Sequence, residues 1–75
     1  MGRLPVCSGQ EAIKVFARLG WRVARQSGSH IVLVKEKVNV TLSVPNHNVL
    51  DRGTLRGLIR AAGISVDEFL AALNS

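Results

Sequence analysis

The chain has 75 residues, is 47% hydrophobic, and carries ten Lys and Arg against five Asp and Glu, a formal charge of +5. That apolar share excludes wholesale disorder, and the length predicts one domain, residues 1–75, close to the lower limit at which a single core suffices without staples. A lone cysteine, Cys7, excludes an intrachain disulfide and a paired-cysteine metal site, and the absence of any bilayer-length apolar run or signal-peptide h-region predicts a soluble cytoplasmic protein with no membrane partner.

In chain order, Ser8-Gly9-Gln10-Glu11 has the pattern of a capping box and opens a helix over roughly 9–19. Ala12, Ile13, Phe16 and Leu19 fall on its apolar face, Lys14 and Arg18 point away, and Gly20 ends it. Residues 21–25 and 30–35 read as strands joined by Gln26-Ser27-Gly28-Ser29, which has the composition of a tight hairpin. Trp21, opening the first of them after a helix, reads as core rather than as a stacking platform. With Ser27 and Gly28 as the central turn residues, Arg25 would lie directly opposite His30. A turn at Glu36-Lys37-Val38 leads into a third strand over 39–44, with Val40, Leu42 and Val44 inward. Pro45 should stop that strand and open the loop Pro45-Asn46-His47-Asn48. Asp51 caps a second helix over roughly 52–62, with Leu55, Leu58, Ile59 and Ala62 on one face and Gly63 at its end. Ser65 and Glu68 form another capping box for a third helix whose apolar face is Val66, Phe69, Leu70 and Leu73.

The predicted order is α-β-β-β-α-α, an α+β fold in which helices cover one face of a three-stranded antiparallel sheet and leave the other wet. The double-stranded RNA-binding domain has this arrangement. Charge is uneven: residues 1–60 hold every Lys and Arg against Glu11, Glu36 and Asp51, whereas 61–75 hold only Asp67 and Glu68. A basic body rich in Arg favours a phosphate polymer or an acidic protein surface. Within it, Gly28-Ser29-His30 sets an imidazole where a turn enters a strand, and imidazole is the side chain that exchanges protons near neutral pH. His30 beside Arg25 is a plausible pair for cleaving a phosphodiester. Gly28 supplies positive φ for the turn and lets a backbone come close, and Ser29 completes the turn. His47 is either a second proton carrier or a solvated loop residue. Arg52, Arg56 and Arg60 make an i, i+4, i+8 stripe that would contact phosphates or remain a solvated face. No ligand cluster for a metal is offered, and Cys7 is given no role.

Gly20-Trp21, Arg25, Gly28-Ser29-His30, Val44-Pro45-Asn46-His47, Gly53-Thr54-Leu55-Arg56 and Ala62-Gly63-Ile64-Ser65 follow one another in an order and spacing that resembles the HicA toxins, from about residue 8 to residue 73. The resemblance implies a double-stranded-RNA-binding-domain-like fold and an mRNA interferase of a type II toxin–antitoxin system. It maps the family's catalytic His onto His30. It also implies a HicB-type antitoxin as partner, covering the active site, and operator DNA reached only through that complex. Ile31 stands where many relatives have a second His or an aromatic, so no auxiliary proton carrier is expected there. Arg22, Lys35, Arg52, Arg56 and Arg60 become candidate contacts to RNA or antitoxin. On this reading His30 is a general base needing neither metal nor cofactor. The alternatives are a non-catalytic RNA-binding module, and an antitoxin-binding subunit of an autoregulatory repressor.

Overall fold

The computed structural model describes residues 3–75. Ser8 starts the first helix, α1 (Gly9–Arg18), as a reciprocal box: its hydroxyl accepts the Glu11 N–H at 3.0 Å, and the Glu11 carboxylate accepts the Ser8 N–H at 2.8 Å. Two of the four amides that a helix start orphans are thereby satisfied. Gly20, at φ +100°, turns the chain out of the helix into Trp21. The second helix, α2 (Arg52–Ala61), is capped by the Asp51 carboxylate, which accepts the Gly53 N–H at 3.1 Å. The third, α3 (Val66–Leu73), begins in a second reciprocal box between Ser65 and Glu68.

Between the helices lie β1 (Arg22–Ser27), β2 (His30–Val34) and β3 (Leu42–Pro45), an antiparallel sheet in the order β1-β2-β3. The element order is therefore α-β-β-β-α-α, as predicted. Ile31 and Leu33 of β2 and Leu42 and Val44 of β3 are buried, and they alternate with His30, Val32 and Ser43 on the opposite face. Ala12, Val15 and Phe16 of α1, Leu55, Leu58 and Ile59 of α2, and Phe69 of α3 complete one core with them. Phe16 and Phe69 meet edge to face at 5.5 Å, the arrangement their ring quadrupoles favour. All three helices thus lie on the side of the sheet that carries Ile31 and Leu33, and the other side is open. Arg18 adds a tie from α1 to α3: its guanidinium donates to the Ala72 carbonyl at 2.6 Å.

Four expectations change. The α1 face is rotated from the predicted one, with Val15 buried and Ile13 and Leu19 only half-buried. The third strand is shorter at its start, because Val40 stands outside the ladder and is 44% exposed. Pro45 does not stop that strand but closes it, paired with His30, since an edge strand tolerates a residue without an N–H. The hairpin register also differs. Ser27 pairs with His30, so Gly28 and Ser29 are the central turn residues, and Arg25 faces Val32 rather than His30. Gly28 alone of the two has positive φ, at +59°, the sign pattern of the II′ turn that suits the twist of a two-residue hairpin.

Trp21 is buried, as predicted, and its indole N–H finds no acceptor among the described residues. Cys7 is buried too, and its carbonyl accepts the Leu50 N–H at 2.8 Å, tying the segment before α1 to the loop before α2. Burial, with a smaller contribution from the nearby Glu11 carboxylate, pushes the Cys7 thiol up from its ordinary range. Cys7 is a packing residue. No helix among the described residues is long and apolar enough to cross a membrane.

Candidate functional site

Directly paired residues of neighbouring strands point to the same side of a sheet. The open face of this one is therefore built of rows. Ser27, His30 and Pro45 form the row at the hairpin end; Arg25, Val32 and Ser43 form the next; Arg22 and Val34 form the third. Val32 and Val34 are half-buried at its centre, and His30, Arg25, Arg22, Ser27 and Ser43 are exposed around them. The face is a shallow floor of valine rimmed by two guanidiniums and one imidazole.

Arg22 and Arg25 are three residues apart, so a regular strand would send them to opposite faces. A bulge intervenes. The register shifts between Val23 and Arg25, leaving Ala24 as the extra residue, and this brings both arginines to the side of His30. Arg25 is then the diagonal neighbour of His30, at a backbone separation of roughly 7–8 Å, within reach of a long side chain.

Pro45, the strand residue paired with His30, is held from the other side by the first turn of α1. Gly9 is buried, its N–H donates to the His47 carbonyl at 2.9 Å, and a Cβ on it would run into the Pro45 carbonyl. Next along, the Gln10 side-chain amide donates to the Asn46 side-chain oxygen at 3.0 Å. The Asn46 N–H in turn donates to the Ser29 carbonyl at 2.7 Å, extending the β2–β3 ladder by one bond toward the turn. Helix, loop and turn thus converge on the end of β2 where His30 stands.

The predicted site residues divide. His30, Arg25, Arg22, Gly28 and Ser29 come together at the hairpin end of the open face or along it. His47 follows Asn46 in the adjoining loop, with its carbonyl engaged by Gly9 and its side chain exposed. Lys35 does not join them. It lies five residues beyond His30 along the strand, about 16 Å at the ordinary strand rise, and packs over Gly20 half-buried. Arg52, Arg56 and Arg60 are exposed on α2, on the helical side of the sheet. There Arg56 and Arg60 flank a depression floored by Ile59, Ile64 and Val66.

Sequence reasoning missed three contributors. The Ala24 bulge was signalled only by the odd spacing of two arginines on a polar strand. Gly9 was signalled by a glycine directly after a helix cap, where its helix propensity is poor. The Gln10–Asn46 pair joins residues 36 apart and left no local trace. No group of three or more His, Cys, Asp or Glu converges among the described residues.

Residues 9–64, well over half of the chain, match the family model described as HicA toxin of bacterial toxin–antitoxin. A search of curated proteins finds no match.

Proposed function

The chain belongs to the HicA toxin family of bacterial toxin–antitoxin systems, and from that premise we propose that it is an endoribonuclease acting on mRNA with His30 as its general base. The observation that carries this reading is an exposed imidazole at the end of β2, on an open face to which a bulge also brings Arg22 and Arg25. RNA brings its own nucleophile. Neutral His30 removes the proton of a 2′-hydroxyl, and the freed oxygen attacks the adjacent phosphorus. The bond from phosphorus to the 5′-oxygen breaks, and that oxygen takes up a proton, with His47 of the adjoining loop as candidate donor. The products are a 2′,3′-cyclic phosphate and a 5′-hydroxyl end. General base catalysis of this kind contributes about 10²–10⁴-fold. Arg25 stabilises the charge that builds on the phosphorane oxygens, and Arg22 binds a neighbouring phosphate.

The same face suits neutralisation by a HicB-type antitoxin that covers it, in the cytoplasm of a bacterium, with operator DNA reached through the complex. The element order and the one-sided helices support reading the fold as double-stranded-RNA-binding-domain-like. A second reading, a subunit that chiefly binds its antitoxin, is favoured by the depression on α2, where Arg56 and Arg60 border apolar residues as an acidic, amphipathic segment would require. Mapping the ends of RNA incubated with the purified protein decides the chemistry. A 2′,3′-cyclic phosphate with a 5′-hydroxyl is expected, and a 3′-hydroxyl end would rule out attack by the 2′-oxygen.

A further inference from the structure

We propose that Ser27 is a further catalytic residue, whose hydroxyl donates a hydrogen bond to the phosphate on which His30 acts. This rests on the reading of the chain as a nuclease and adds a group to the same site. Ser27 ends β1 and is paired directly with His30 across the hairpin. Residues so paired point to one side of a sheet, with Cβ atoms about 4.5–5.5 Å apart. Both side chains are exposed there.

The other neighbours of His30 on that face offer less. Pro45, paired with it from β3, has no polar side-chain atom, and neither has Val32, two residues along β2. Arg25 and Ser43 are diagonal neighbours, one step further away. Ser27 is thus the one polar side chain directly paired with the imidazole. Among the described residues neither the Ser27 hydroxyl nor the His30 ring is engaged in a hydrogen bond, so both face outward free for a common ligand.

The pair is also held at a fixed spacing. Only Gly28 and Ser29 separate the two residues, and both turn carbonyls are engaged. The Gln26 side-chain amide donates to that of Gly28 at 3.3 Å, and the Asn46 N–H donates to that of Ser29 at 2.7 Å. A Cβ on Gly28 would meet nothing within 4 Å, so no neighbouring group closes over the turn.

A phosphodiester has two non-bridging oxygens, and both gather charge as the 2′-oxygen adds to phosphorus. With Arg25 toward one, a hydroxyl directly beside the imidazole serves the other. An O–H donor to an anionic oxygen makes a short, charge-assisted bond. It is worth most where the charge is greatest, in the phosphorane. Ser27 keeps its own proton, and that of the 2′-hydroxyl goes to His30.

The test uses a short RNA with one cleavable linkage, every other sugar being 2′-deoxy. It is also made with sulfur replacing each non-bridging oxygen of that linkage in turn. Ser27 is exposed, so its variants should keep the wild-type fold, which circular dichroism checks. Ser27→Ala should lower kcat/KM about tenfold to a hundredfold. Ser27→Thr, which keeps a hydroxyl, should stay within about threefold of the wild type. One of the two sulfur substitutions should slow the wild type and slow Ser27→Ala several-fold less, because the bond it weakens is already gone. Cleavage by Ser27→Ala within about twofold of the wild type, or the same sulfur effects in both proteins, would overturn the proposal. Binding of the all-2′-deoxy strand needs no cleavage, and Ser27→Ala should weaken it about threefold or more. That loss, with no cutting by the wild type, would keep Ser27 as a phosphate ligand and overturn the nuclease. Unchanged binding, with no cutting by the wild type, would overturn both.

Discussion

At Gly9 a single methyl group would meet the Pro45 carbonyl, so the contact between α1 and β3 depends on a residue with no side chain. Gly9→Ala must push the helix off the strand that faces His30. We expect it to cost about 1–3 kcal/mol in urea unfolding, despite the better helix propensity of alanine. Unchanged stability would show that the helix shifts freely there. Cys7 makes a separate prediction. Its thiol stays protonated in the folded protein at a pH where it ionises in the unfolded chain, whose value lies near 9.0. The unfolded state then binds fewer protons, so stability is intact below about pH 9 and falls as pH rises through the raised value. Cys7→Ala, less stable at neutral pH through its cavity, should lose less than the wild type between pH 8 and pH 10. Equal losses would contradict the assignment. At this scale the sequence was uneven in what it disclosed. The caps Ser8, Asp51 and Ser65 were legible because their bonds are local. Gly9 was not, because what its missing side chain makes room for is a carbonyl from a distant strand.

The hairpin sets the face on which His30 and the arginines meet. Its two strands were legible from their composition, but not its register, because a two-residue turn can be centred on Ser27-Gly28 or on Gly28-Ser29. A positive φ at Gly28 serves the second choice. Nor was the bulge legible: it depends on β1 being an edge strand exposed along its whole length, so that an extra residue disturbs no packing. Val40 misled for a related reason, since alternation alone does not say where pairing begins. With Arg22 and Arg25 on one face, both should engage phosphates of one strand. Replacing both by Ala should lower the slope of log affinity for single-stranded RNA against log salt by about 1.4, two contacts' worth. An unchanged slope would mean that the backbone runs elsewhere, along the arginines of α2.

Over the whole molecule the helices, with Phe16, Leu55 and Phe69, seal one side of the sheet and leave the other to solvent. Element order and the one-sided core were legible because hydrophobic periodicity carries them. The convergence of α1, the β3–α2 loop and the hairpin on one corner was not, because it arises from contacts far apart in sequence, such as Gln10 with Asn46. The positive charge is likewise divided between two surfaces, Arg22 and Arg25 on the open face and Arg56 and Arg60 on the helical side. That division gives the molecule two separate basic surfaces, one on the open sheet face and one on α2.

The most direct measurement compares RNA cleavage by the purified wild-type protein and by His30→Ala, with circular dichroism confirming that both are folded. His30 is exposed and outside the core, so the variant should keep the wild-type melting temperature within a few degrees. A nuclease built on this imidazole cuts RNA as the wild type and loses about 10²-fold or more in the variant. Cleavage by the folded variant at the wild-type rate, or none by the wild type, would contradict it.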